Sequence, residues 1–444
     1  MRKATLIAAV AIVAAAGAIV GVIVSSGGGG SAEPASPGTS SSGSTSGSPG
    51  SGSTSTGTST TGTTSPLIPT TTAAIPPPPG PGSPRLRSFL VGTVDDSLAQ
   101  RNPASARAQV DLSHRAGFDA IDISAAWQRG ETAPAPGTLR GIRNAGEAAK
   151  RDNMRLYLVS WHGFAKETPH DGAQRQQFAE FTAALVKALP SASGVIVGNE
   201  PNLNTFWLPQ FGPDGRDVAA SGYEDLLART YDAVKAASPS TRVIGVGLSP
   251  RGADHPHGIR PTHSPAEFIR DLGRDYRATG RRRPLMDAFA IHPYMLSSKI
   301  PPTRAHPQTT QITMGDYPKL VTLLDEAFRG TAQRGRTLPI LYTEFGVQTV
   351  VPRKKLAAYQ QGTTPDAADV VSAATQAAYY REALALAYCQ PTVKGLFVFH
   401  TFDEPDLDGW QSGLYYADRT PKPSLKAFRR AIADLRAGKL TTCR

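Results

Sequence analysis

Glu200 and Glu344 are the residues from which chemistry can be argued first. Glu200 stands in Gly198-Asn199-Glu200-Pro201-Asn202 and Glu344 in Thr343-Glu344-Phe345-Gly346, each directly behind an apolar run. Two carboxyl groups facing each other across a cleft can divide the breaking of a glycosidic bond. One is kept protonated and donates to the leaving oxygen, and the other is ionised and attacks the anomeric carbon. That division needs unlike surroundings. Partial burial and a neighbouring negative charge would raise Glu200, and a hydrogen bond from a hydroxyl such as that of Tyr294 would keep Glu344 ionised. Trp161-His162, His292-Pro293-Tyr294 and His400, with Trp410 downstream, also follow apolar runs. These residues are expected to line a substrate site, and the four tryptophans, Trp127, Trp161, Trp207 and Trp410, to offer faces on which sugars stack.

The elements that must position them form a repeat. Short apolar, β-branched runs at 89–94, 120–124, 156–161, 195–198, 243–248, 288–292, 340–343 and 395–399 alternate with longer amphipathic stretches. Runs apolar on both faces and separated by helices are the signature of parallel strands. Helix starts are expected at Asn102-Pro103, Ser221-Gly222-Tyr223-Glu224, Ser264-Pro265-Ala266-Glu267 and Thr364-Pro365-Asp366, from capping boxes or a proline at the first helical position. Eight such units in about 350 residues predict an α/β fold, a closed (β/α)8 barrel, with an open doubly wound sheet as the alternative. No glycine-rich phosphate loop follows the first run, which argues against an open-sheet nucleotide binder. In a barrel the strand ends share one face, so Glu200 and Glu344 would meet across its mouth.

The barrel occupies 85–444. Ahead of it, Arg2-Lys3 and an unbroken apolar run from Ala4 to Val24 predict an export segment at 1–24. Its length favours an uncleaved anchor with its basic end in the cytoplasm, the alternative being a cleaved signal peptide. Residues 25–84 are almost entirely Ser, Gly, Thr and Pro and bury too little to offset the entropy of ordering, so a disordered stalk is expected. The barrel would then stand outside the membrane, at the cell surface or secreted. Cys389 and Cys443 are the only cysteines. They exclude a disulfide-dense scaffold or a cysteine zinc framework, and in an exported domain could either bridge the tail to the seventh helix or stay as two thiols.

The net charge of +11 belongs nearly all to the barrel. Its lysines and arginines are scattered and do not alternate with aromatics, so nucleic acid is not expected; the choice lies between a solvated surface and an acidic polysaccharide partner. His255, His257 and His263 share a loop but lack an acidic or cysteine ligand at fixed spacing, so no metal and no cofactor are expected. The run Asp403, Glu404, Asp406 and Asp408 reads as a solvated loop before a calcium site. Asp122, in the second run, could reach the lumen or serve an internal hydrogen bond.

Three motifs in order, Asn199-Glu200-Pro201, His292-Pro293-Tyr294 and Thr343-Glu344-Phe345-Gly346, resemble the clan A glycoside hydrolases. The tail from Gly409-Trp410 through Gly413-Leu414-Tyr415 to Thr420-Pro421-Lys422-Pro423-Ser424 is similar to the ends of family 5 and family 39 members. The resemblance implies a retaining barrel enzyme with a carbohydrate substrate, Asn199 binding sugar, Glu200 as acid/base and Glu344 as nucleophile. It departs from the pattern in lacking an arginine at the end of the second strand and in placing His400 where a tryptophan is common. Transglycosylation by the same residues, or a non-catalytic carbohydrate-binding barrel, are the rival functions.

Overall fold

A computed structural model of the chain describes residues 88–360, 362, 369–440 and 443. The expected membrane segment and stalk, and the helix start at 364–366, lie outside these residues. Among the described residues no helix is long and apolar enough to cross a membrane.

All eight expected strands form, each within a few residues of its sequence bounds. They are β1 (Leu90–Val94), β2 (Ala120–Ala126), β3 (Arg155–Trp161), β4 (Ala192–Val197), β5 (Arg242–Leu248), β6 (Ala288–Ile291), β7 (Ile340–Phe345) and β8 (Val393–Phe399). Every neighbouring pair is parallel, and β8 closes onto β1, so the sheet is a barrel and the open-sheet alternative falls away. The connecting helices are α1 (Pro103–Ala116), α2 (Pro136–Arg151), α3 (Gly172–Ala188), α4 (Ala219–Ala237), α5 (Pro265–Ala278), α6 (Tyr317–Phe328) and α7 (Ala373–Cys389), with α8 (Ser424–Arg436) following β8.

The strands are mostly apolar because both faces are covered. In β8, Phe397 and Phe399 join Leu90, Tyr157, Ile196, Ile244 and Leu341 in the lumen, whereas Leu396 and Val398 pack in the strand–helix layer. The lumen is filled, not hollow. A Cβ at Gly92 would lie 2.4 Å from the Phe397 ring, so only glycine lets that ring cross the barrel.

Helix starts follow the sequence where the cap is local. Asn102 caps α1 through the Ser105 N–H at 3.0 Å, and Ser264 caps α5 through the Glu267 N–H at 3.3 Å. The Glu267 carboxylate turns to Arg270 instead of closing a capping box. Ser221 is not a cap: α4 already begins at Ala219, and Asp217 accepts from the Ala220 N–H at 2.8 Å. Good helix formers ahead of Ser221 extend the helix, and Tyr223 buries its ring while donating to the Val197 carbonyl at 2.6 Å. The described helix after β7 starts at Ala373, capped by Ser372. Cys389 at the end of α7 is bridged to Cys443, with a Cα–Cα distance of 5.3 Å, so the tail is tied to the seventh helix.

Candidate active site

The barrel ladder continues past the strands and sets the site. The Gly198 N–H donates to the Ser160 carbonyl at 2.7 Å, the Glu200 N–H to the Gly247 carbonyl at 2.8 Å, and the His292 N–H to the Leu248 carbonyl at 2.9 Å. Gly198 has φ 83° and Glu200 φ 42°. The second is left-handed for a residue with a side chain, a conformation that persists only where surrounding contacts hold it. Buried Asn202 stitches the loops after β4 and β5. Its Nδ2 donates to the carbonyls of Ser249, Arg251 and His263, and its Oδ1 accepts from the Ser249 N–H at 3.0 Å.

Glu200 and Glu344 converge on one imidazole. His292 Nδ1 lies 3.0 Å from Glu200 Oε1, and its Nε2 lies 3.6 Å from Glu344 Oε1. Tyr294 donates its hydroxyl to Glu344 Oε2 at 3.0 Å. The His292 ring is buried beneath both carboxylates. Burial disfavours its cation, but Glu344, Glu200 and Asp122 together outweigh burial and raise its pKa.

The expected tyrosine contact is present, but it does not hold Glu344 low. Burial pushes the Glu344 carboxyl up to about 7, with Glu200 adding to the rise, against the opposing pull of His292 and Tyr294. A hydrogen bond and one cation cannot offset removal of a carboxylate from water at the barrel mouth. Beneath it Asp122 is buried in the lumen with neither oxygen partnered, and burial, then Asp96 and Glu344, hold it well above the carboxylate range. Of its two expected roles the lumenal one is observed.

The cleft has a volume of about 720 Å³, and Asn199, Glu200, Glu344, Tyr294, Trp161, Trp410 and His400 all line it. Trp161 Nε1 and Trp410 Nε1 are buried and have no hydrogen-bond partner among the described residues. Burial holds His400 down at about 4, hence neutral, with its ring against Phe399. His162 is not in the cleft. Its Nε2 donates to the Phe206 carbonyl at 2.6 Å, its ring abuts Trp207, and burial lowers its pKa to about 4, so it is a packing residue. Trp127 and Trp207 are core as well: Trp127 packs on Phe178 and donates to the Glu131 carbonyl, and Trp207 packs between His162 and Tyr223.

The acidic run after β8 is largely structural rather than a solvated loop. Asp403 pairs with buried Lys422 at 2.6 Å and accepts from the Tyr359 hydroxyl, and Glu404 accepts from the Trp410 backbone N–H at 2.9 Å, holding the main chain that carries the indole. His263 is engaged by the Gln210 carbonyl, and among the described residues no group of three ligating side chains is arranged to hold a metal.

Sequence reasoning missed four contributors. Asp96, one residue past the Asp95 that follows β1, lines the cleft; its Oδ1 accepts from the Ser124 N–H at 2.7 Å, and burial raises it to about 6. Phe164 and Phe206 stack on each other at 6.2 Å beside Trp161, forming an apolar wall. Arg251, two residues past Ser249, also lines the cleft. Position just beyond a strand end was the available signal for Asp96 and Arg251; the phenylalanines offered none, since their loops join only in space.

No protein-family model matches the chain, and no curated protein matches it in sequence. Solved structures do match in fold. GH5_18 from Streptomyces cattleya, in complex with GlcNAc, is 18% identical with a TM-score of 0.51, over 79% of this chain and 80% of that one. A GH5-4 broad specificity endoglucanase from Clostridium longisporum is 11% identical with a TM-score of 0.51, over 79% of this chain and 97% of that one. A GH5_18 from Bifidobacterium longum subsp. infantis is 14% identical with a TM-score of 0.50, over 78% and 79%. At these identities the likeness is one of fold: the chain shares the closed parallel barrel of these structures.

Proposed function

We propose that the chain is a retaining glycosidase acting by double displacement on O-glycosidic bonds of an oligo- or polysaccharide. The observation that carries this reading is the pair Glu200 and Glu344, on the ends of β4 and β7, seated on the single imidazole of His292 with Tyr294 donating to Glu344. Glu344 attacks the anomeric carbon as Glu200 gives its proton to the leaving oxygen; Glu200 then takes a proton from the water that releases the sugar. His292 occupies Glu200 Oε1 and leaves Oε2 for the glycosidic oxygen. Tyr294 fixes the orientation of Glu344, so that the attacking oxygen is aimed before substrate arrives. Asn199 would take a sugar hydroxyl, and the Trp161 and Trp410 side chains, which line the cleft, would pack against the sugar.

The barrel is further proposed to work outside the cytoplasmic membrane, tethered through residues 1–24. The apolar run supports this, and the Cys389–Cys443 bridge fits an oxidising compartment.

Azide rescue tests the assignment of roles. With an aryl glycoside whose leaving group needs no protonation, Glu200→Ala should stall after the first step and resume with added azide, releasing a glycosyl azide. Glu344→Ala should show no such product with the retained anomer. Rescue of neither variant, with the wild type active, would overturn the assignment; an added acceptor sugar in the wild-type assay separates hydrolysis from transfer.

A further inference from the structure

We infer that the wall of the cleft next to Glu200 is an anion subsite, built on Arg251, that takes an acidic sugar on the leaving-group side of the bond. Arg251 lines the cleft from the loop after β5, and its Nη1 is buried with no hydrogen-bond partner. Among the described residues no carboxylate forms an ion pair with it, and the charge that acts on it is that of Glu200. Arginines farther from the cleft are treated differently: Arg281 is paired with Asp232, Arg175 with Asp225, and Arg107 with Asp111 and Asp152. Those three side chains are 15 to 34% exposed, and Arg251 is likewise only partly exposed, so a guanidinium left unpaired at this depth is costly unless a ligand supplies the anion. The Arg251 carbonyl accepts from Asn202 Nδ2 at 3.3 Å, which fixes the backbone that carries the guanidinium at the cleft wall.

The same wall carries His255 and Arg260, both exposed, whereas the acidic lining residues other than Glu200 are Asp96 and Glu344, which follow β1 and lie on β7. Positive charge is thus gathered behind Glu200. In double displacement the acid/base faces the departing oxygen, so an anion at Arg251 belongs to the sugar that leaves. That placement rests on the function proposed above; the binding of the anion does not. The guanidinium fork suits a carboxylate, sulfate or phosphate substituent.

The test is calorimetric, on the full chain carrying Glu344→Gln, with oligomers of galacturonate, glucuronate and mannuronate, their carboxyl-reduced counterparts, and 6-sulfated N-acetylglucosamine. At least one anionic probe should bind ten-fold or more tightly than its neutral counterpart, weakening with added salt. Arg251→Gln should cost it about 10- to 100-fold. The exposed Arg260→Ser, which puts no packing at risk, should cost a few-fold. The arm that binds names the anion. No binding of any anionic probe, equal binding of charged and neutral forms, or discrimination surviving in a folded Arg251→Gln protein would overturn the subsite. Turnover of neutral aryl glycosides without anion preference sinks the subsite and spares the glycosidase; Arg251-dependent binding with no turnover of any glycan by the wild type does the reverse.

Discussion

Replacing Glu344 by Gln should stabilise the protein, and only at neutral and alkaline pH. Folding raises this carboxyl from 4.5 to about 7 through burial. The folded state therefore holds the proton more tightly than the unfolded chain, and stability falls as pH climbs from the unfolded value through the folded one. At about 1.4 kcal/mol per pKa unit the full penalty is about 3 kcal/mol above pH 7. The side chain keeps 19% exposure to the cleft, and His292 faces it at 3.6 Å. Water at the mouth and loss of the His292 contact reduce the expected gain to about 1 to 2 kcal/mol. For a domain of this size that is an increase of about 1 to 3 °C in melting temperature at pH 8. Below pH 4.5 the carboxyl is protonated in both states, and the variant and wild type should melt together. Thermal melts of both proteins at pH 4.5 and pH 8 measure the difference. A gain equal at both pH values, or a variant less stable at pH 8, would refute burial of an ionisable Glu344 as the cause.

Wild-type kcat/KM should fall as pH drops below about 7, where Glu344 becomes protonated and ceases to attack. Tyr294→Phe removes the donor to Glu344 Oε2, so it should lower kcat/KM about 10- to 100-fold and move that acid limb to higher pH in rate profiles. Gly92→Ala forces a methyl group into the Phe397 ring and should cost about 1 to 3 kcal/mol in denaturant melts without touching the cleft. Cys443→Ser opens a bridge between residues 54 apart and should cost about 2 to 4 kcal/mol, a loss that a reductant reproduces in the wild type and not in the variant.

The barrel was legible because a parallel strand covered on both faces must be an unbroken apolar run, and eight such runs recur at helix-length spacing. The site was legible for a related reason. Polar residues such as Glu200 and Glu344 directly behind apolar runs have few structural uses, and strand ends share one face of the barrel. What failed depended on neighbours distant in sequence. His162 follows Trp161 as Tyr294 follows Pro293, yet the Phe206 carbonyl draws it into the wall. Trp127 and Trp207 lie just past strand ends but turn into the core against Phe178 and Tyr223. Glu344 was expected to be held low and is instead raised, because Tyr294 was visible in the sequence and the depth of Glu344 was not. Ser221 carries a capping signature, but the Asp217 cap four residues earlier meets the first free N–H groups of the helix.

The most direct measurement is of the first-released sugar anomer, by NMR, from a screen of the full chain against aryl glycosides and wall polysaccharides, with Glu344→Gln alongside. The account predicts turnover with retained configuration in the wild type and none in the variant. Inverted product, or turnover that survives Glu344→Gln, would contradict the double displacement, and glycan binding without turnover by the wild type would make the barrel a binding protein instead.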